Sequence, residues 1–216
     1  MKKYQLLVFD WDGTIIDSAS TIAQCIRLAA ADLALDVPTK EQASHVIGLG
    51  LHDALRYAVP QLRPEQMSEF VARYRYHFLM REDSMGLFDG MRELIAGMSK
   101  VRTLAIATGK SRRGLDRALD STGLKPYFQS SRCADETNPK PHPAMLLELM
   151  SEFDVAPNAA LMIGDTSHDL EMARAAGVDG LAVTYGAHPE SNLRACAPKA
   201  CVGSVAELGK WLSANT

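Results

Sequence analysis

The chain has 216 residues, 47% of them hydrophobic and 23% charged, enough for one large domain or a core with a smaller insert. A formal net charge of -3 gives no nucleic-acid or membrane-surface signal, and the most basic stretch, residues 110–113, reads as a solvated helix start. No apolar run approaches a membrane span, and the run behind Met1-Lys2-Lys3 stops at Asp10, too early for a secretory leader. Cys25, Cys133, Cys196 and Cys201 have no close pairing, so they read as thiols rather than disulfides or zinc ligands. A cytoplasmic protein is the default expectation.

In chain order, the first predicted strand is Leu6–Phe9, which runs straight into Asp10-Trp-Asp12-Gly-Thr14. Residues two apart in an extended chain share a face, so Asp10 and Asp12 come side by side. Two carboxylates ~4 Å apart repel by roughly 4 kcal/mol at a surface-like dielectric. Asp-Gly alone is an ordinary turn signal. The rest of the chain must therefore supply a cation before a functional reading is justified.

Residues 18–83 contain no convincing strand. Ile22, Cys25, Ile26, Ala29 and Leu33 fall at helical spacing, Thr39 to Gln42 fits a capping box, and Met67, Phe70, Val71, Tyr74 and Phe78 form another stripe. Beyond them, apolar runs at 103–107, 160–163, 181–184 and, more weakly, 200–202 read as strands. They alternate with helical segments at 90–98, 112–121, 143–153, 169–176 and 205–212. Gly123 and Gly177 stand where helix C-terminal glycines are expected. The pattern predicts an α/β fold: a doubly wound, Rossmann-like parallel sheet with an inserted all-helical cap. The expected division is a discontinuous core of residues 1–17 and 84–216 and a cap of 18–83. The cap would stand over the strands' C-terminal ends, where open α/β sheets bind ligands.

Three more stretches bring polar groups to that edge. One strand ends in Thr108-Gly109-Lys110, Lys140 lies between two prolines, and another strand ends in Gly164-Asp165 with Asp169 beyond. Each has a plain alternative: a turn, a solvated lysine, and a helix cap for Asp169. Together, Asp10, Asp12 and Asp165 offer hard oxygens suited to Mg²⁺, while Thr108 and Lys140 suit phosphoryl oxygens. Without a Walker-type loop or a Ser-His-Asp set, a carboxylate is the best nucleophile available.

These residues resemble the four motifs of the haloacid dehalogenase superfamily, in order and over nearly the whole chain, with the insert matching its small helical cap. The resemblance implies that Asp10 is the nucleophile and Asp12 the general acid/base. It implies that Asp10, the main-chain carbonyl of Asp12, and Asp165 hold Mg²⁺. Thr108, Gly109 and Lys140 would bind the phosphoryl group, and Asp169 would orient Lys140 or the metal's water shell. An aspartate at position 12 favours phosphate-ester chemistry, since superfamily members that need no leaving-group proton lack it. The cap stretch Val46 to Leu55 looks most like phosphoglycolate phosphatases, which makes phosphoglycolate the leading substrate, with Gly48 and Gly50 reading the leaving group. Motif two departs from many relatives, which carry Asn after Thr. His45, His52 and Arg56 read as surface residues, though each could meet a substrate carboxylate, and His168 reads as solvated. The alternatives are a β-phosphoglucomutase-like mutase, disfavoured by Thr14, and a phospho-receiver module, disfavoured by the insert. The expected partner is a small phosphorylated metabolite, with no nucleic acid and no membrane; the protein would be a monomer or homodimer.

Overall fold

The computed structural model describes residues 4–216; Met1-Lys2-Lys3 lie outside them. The chain forms β1 (Leu6–Phe9), then four helices: α1 (Ala19–Asp32), α2 (Lys40–His45), α3 (Leu51–Ala58) and α4 (Met67–Leu79). After them come α5 (Met91–Met98), β2 (Thr103–Thr108), α6 (Arg112–Thr122), β3 (Ser130–Cys133), α7 (Ala144–Glu152) and β4 (Ala160–Gly164). The last elements are α8 (Ser167–Ala175), β5 (Asp179–Val183), α9 (Glu190–Ala195), β6 (Cys201–Val202) and α10 (Val205–Asn215).

The strands make one parallel sheet in the order β3-β2-β1-β4-β5-β6. A parallel sheet covered on both faces needs continuous apolar strands, and β1, β2 and β4 supply them. Leu7 and Phe9 face one hydrophobic cluster with α5, α6 and α10, while Leu6 and Val8 face another with α7 and α8. Full burial of each such side chain is worth roughly 1.5–3 kcal/mol. In the central ladder Phe9 pairs with Ile106 of β2 and Ile163 of β4, so the three strands end in register. This fold class is the one the sequence predicts.

The four helices between β1 and α5 have a hydrophobic cluster of their own, in which Ile22, Ile26, Val46, Leu55, Phe70 and Phe78 are buried. The capping box at Thr39 forms: its hydroxyl accepts from Gln42 N–H, and the Gln42 side chain accepts from Thr39 N–H. Two elements go beyond the sequence prediction. Edge strand β3 reads Ser-Ser-Arg-Cys and has no apolar run to announce it, and α9 is a short helix behind Pro189. The helix expected from residue 169 begins two residues earlier, with Thr166 as its N-cap. No helix among the described residues is long and apolar enough to cross a membrane.

Candidate active site

The three aligned strand ends deliver Asp10, Thr108 and Asp165 to one edge. Asp10 N–H still donates to Ile163 O (2.9 Å), so the ladder fixes the first aspartate before the chain turns away. Gly13 makes that turn at φ +79°, and a Cβ there would sit 2.2 Å from Asp165 Oδ2. The turn after β1 can therefore close against Asp165 only with glycine at this position.

The two neighbouring aspartates diverge. Asp10 points into the protein: its Oδ1 pairs with Lys140 Nζ at 2.7 Å, and its Oδ2 is buried with no partner among the described residues. Lys140 Nζ also pairs with Asp169 Oδ1 at 2.7 Å. Asp12 turns toward the helical insert, where Oδ1 accepts from Ser18 Oγ (2.7 Å) and Oδ2 pairs with Lys110 Nζ (3.0 Å). Ser18 is the N-cap residue of α1, but its hydroxyl serves Asp12 rather than the helix.

Asp165 is held from two sides, by Thr14 Oγ1 (2.8 Å to Oδ1) and by the N–H of Ala187 (2.7 Å to Oδ2). Asp169 is more than a helix cap. Thr166 N–H and Oγ1 donate to its Oδ2 at 3.0 and 2.7 Å, which leaves Oδ1 for Lys140. Lys140 is thus a buried, fixed charge rather than a solvated one. Burial pulls its ammonium down, but the charges of Asp10 and Asp169 outweigh that and hold its pKa above the usual lysine range. Burial raises Asp10 well above the ordinary carboxylate value, against the pull of Lys140. Burial, reinforced by the Asp169 charge, pushes Asp165 up to about 7 despite its bonds from Ala187 and Thr14.

Oxygens of Asp10, Asp165 and Asp169 all lie within 4.8 Å of one another. Three buried carboxylates against the single ammonium of Lys140 leave an excess of negative charge, and Asp10 Oδ2 is an acceptor with nothing to accept. A hard divalent cation such as Mg²⁺ fits this donor set. Asp169 joins the acidic cluster, whereas the Asp12 side chain is engaged elsewhere; any part Asp12 plays toward a metal would be through its main-chain carbonyl.

A cavity of about 740 Å³ opens from Asp10, Asp12 and Thr108 between the core and the helical insert. Gly48, Gly50 and His52 line it, and Arg56 is an exposed residue of α3 outside it. The loop at 48–50 rests directly on motif two: a Cβ on Gly109 would meet Leu49 O at 2.5 Å and Gly48 O at 2.6 Å. That contact leaves no room for a side chain at position 109. A second contact between insert and core is made by histidines. His45 O accepts from Nε2 of His168 (2.8 Å) and of His188 (3.0 Å), and the His45 and His188 rings stack at 5.2 Å. His168 is therefore buried, not solvated, and its pKa is lowered by that burial.

Lys110 was also misread from sequence as part of a solvated helix start. Its ammonium is nearly buried, pairs with Asp12 and lies 4.9 Å from the centre of the Phe78 ring of α4. Ser18, Thr14 and the 185–188 loop were missed as site residues. The available signal for the loop was Gly186, whose Cβ would lie 2.3 Å from the Asp165 side chain.

The profile of the family described as haloacid dehalogenase-like hydrolase matches residues 7–183. A probable phosphatase, IndB, of Dickeya dadantii (strain 3937) is 32% identical over 94% of this chain and 91% of its own length. The tyrosine-protein kinase PtkA of Mycobacterium tuberculosis (strain ATCC 25618 / H37Rv) is 31% identical over 84% of this chain and 62% of its own length. A phosphoglycolate phosphatase of Nitrosococcus oceani is 28% identical over 99% of this chain and 98% of its own length.

Proposed function

The chain belongs to the haloacid dehalogenase-like hydrolases, and from that premise we propose that it is a Mg²⁺-dependent phosphatase that hydrolyses a small phosphorylated metabolite through an aspartyl phosphate on Asp10. The observation that carries this reading is the divergence of Asp10 and Asp12. One carboxylate is buried beside Lys140, Asp165 and Asp169, and the other faces the cavity wall beside Ser18 and Lys110. A nucleophile and an acid–base need such different surroundings.

In the first step an oxygen of Asp10 bonds to phosphorus as the ester P–O bond breaks, and the leaving oxygen takes a proton from Asp12. In the second, a water gives a proton to Asp12 and attacks the same phosphorus, releasing phosphate and restoring Asp10. Lys140 and Thr108 steady the phosphoryl oxygens, and Lys110 with Ser18 holds Asp12 toward the leaving group. Asp10 and Asp165, with the Asp12 carbonyl and Asp169 close by, would hold Mg²⁺, which supplies positive charge against the carboxylates and the phosphoryl oxygens. Phosphoglycolate, named in the Nitrosococcus relative, is the reference substrate.

Rapid quench with ³²P-labelled substrate should trap acid-stable, base-labile label on Asp10, and phosphate should be released over many turnovers. Label on a serine or histidine would end this mechanism. Phosphate passed to a sugar or tyrosine, or retained stoichiometrically, would point instead to a mutase, a kinase such as the PtkA relative is named for, or a receiver module.

A further inference from the structure

The two walls of the cavity differ in chemistry. On the insert side stand Ile22 and Ile26 of α1 and Tyr74 and Phe78 of α4, with His52 and Asp53 of α3 and Arg75 of α4 also in the lining. On the core side stand Lys110, Arg113 and Arg117. Arg113 and Arg117 are four residues apart and so share one face of α6. Their partners differ. Lys110 is held by Asp12 and Arg117 by Glu82 (2.8 Å), while among the described residues Arg113 has no carboxylate partner.

Size matters as much as lining. Cavities that enclose drug-sized ligands measure roughly 300–1,000 Å³, and this one, at about 740 Å³, is in the upper part of that range. A two-carbon acid would occupy its inner end near Asp10 and leave the α1 and α4 side chains facing water. A carboxylate pushed against those side chains would lose hydration without gaining a partner. The α1 isoleucines, Phe78 and the Tyr74 ring favour carbon, and a guanidinium without a carboxylate partner favours an anion.

Resting on the phosphatase reading above, we infer that the preferred substrate is a phosphate monoester whose leaving group has an apolar body of several carbons and a second acidic group. The apolar body lies against Phe78, Tyr74 and the α1 isoleucines, and the acid reaches Arg113. Binding energy from this remote part can be used at the reacting phosphorus, so it enters kcat/KM and not affinity alone.

The test compares phosphoglycolate with its homologues lengthened by two and by four methylenes, and each with the matched alkyl phosphate lacking the carboxylate. With Mg²⁺ present, kcat/KM should rise roughly threefold to fourfold per added methylene until the cavity is filled. Each longer carboxylate should exceed its neutral match, by about twofold to fivefold for an Arg–carboxylate contact at the exposed Arg113. Phe78→Ala should flatten the length dependence, and Arg113→Met should bring the acid-to-neutral ratio toward one. Calorimetric affinities of Asp10→Asn for the same compounds should show the same order, which keeps the comparison decisive even without turnover. Phosphoglycolate equal to or better than its longer homologues, or neutral esters equal to the acids, would overturn the inference while leaving the mechanism standing. Turnover without label on Asp10 would instead sink the mechanism.

Discussion

The core edge and the helical insert build opposite sides of one cavity by different means. The edge uses charged side chains locked by short ion pairs and hydrogen bonds: Lys140 paired with Asp10 and Asp169, and Asp165 accepting from the Thr14 hydroxyl and the Ala187 N–H. The insert offers main-chain carbonyls and apolar side chains: Gly48 O and Leu49 O over Gly109, His45 O under two imidazoles, and Phe78 beside Lys110. Buried charge is costly to leave unpaired, whereas an apolar or carbonyl contact is lost in small increments. The effect of losing the buried ion pairs at the core edge should therefore be large and insensitive to substrate. Damage on the insert side should be graded and depend on the leaving group.

Lys140→Met should have the largest effect. It leaves Asp10 and Asp169 buried without their cation, and breaking a buried pair this way costs about 3–5 kcal/mol. For a chain of this size that lowers Tm by roughly 6–20 °C. Phosphate release should vanish for every ester, p-nitrophenyl phosphate included. A Lys140→Met protein with unchanged Tm would show that the ammonium is not the charge holding the two carboxylates in place.

Asp12→Asn comes next and tests the division between the two aspartates. Turnover of alkyl phosphates should fall by ~10²–10⁴, the usual contribution of a positioned acid–base group. p-Nitrophenyl phosphate, whose leaving group needs no proton, should still form the aspartyl phosphate at near the parent rate, so a burst should appear. Its steady-state turnover should fall, because Asp12 also takes the water's proton in the second step. Mg²⁺ affinity measured by calorimetry should hold in Asp12→Asn and drop in Asp165→Asn. Equal loss of metal in both variants would contradict the separate roles.

Much of the core edge was legible in the sequence because parallel strands turn linear position into spatial position. A run of buried aliphatics followed by a polar residue fixes where that residue emerges, and this holds for Asp10, Thr108 and Asp165. What defeated the reading was docking. Lys110 and His168 are ordinary surface residues by composition, and only the approach of α4 and α2 buries them. Strand β3 escaped for a different reason. As an edge strand it carries Ser130, Ser131 and Arg132, and Arg132 is tied to Glu148 and Glu152 at 2.7 and 2.8 Å. Ion pairs at an edge leave no apolar period to read.

Gly109→Ala is the sharper test of the insert side. The new methyl would lie 2.5–2.6 Å from two carbonyl oxygens, both backbone, so the 48–50 loop must lift. A displacement of about 1 Å far from the reacting atoms can cost up to ~10²-fold in rate. That loss should appear with large esters and shrink with p-nitrophenyl phosphate, which asks little of the insert, while Mg²⁺ affinity stays put. An equal loss with all substrates would mean that Gly109 matters to the core's phosphoryl site rather than to the seating of the loop.

The smallest effect belongs to the histidine clasp, because His45 O keeps one donor when the other is removed. His168→Leu should cost about 1 kcal/mol, and His168→Gln, which retains an N–H donor, less. Amide exchange over residues 46–50 should quicken in the leucine variant and stay near the parent rate in the glutamine variant. The clasp also carries a pH signature. Burial, with the neighbouring His168 second, pushes His188 down to about 4, and burial lowers His168 as well. A histidine depressed in the folded protein binds fewer protons there than in the unfolded chain between its folded pKa and ~6.5. Its stabilising contribution is therefore complete above ~6.5 and is lost as pH falls toward 4. Thermal melts of the parent should show that decline on acidification, and the protection of the 46–50 amides relative to their intrinsic exchange rate at each pH should fall over the same interval. Replacing His168 with glutamine removes one of the two titrating rings without removing its donor, so the decline should become shallower while exchange at pH 7 stays slow. If the parent's protection at 46–50, taken relative to the intrinsic exchange rate, is indifferent to pH between 7 and 4, the imidazoles do not hold the insert, and the docking of α2 rests on the glycine contacts alone.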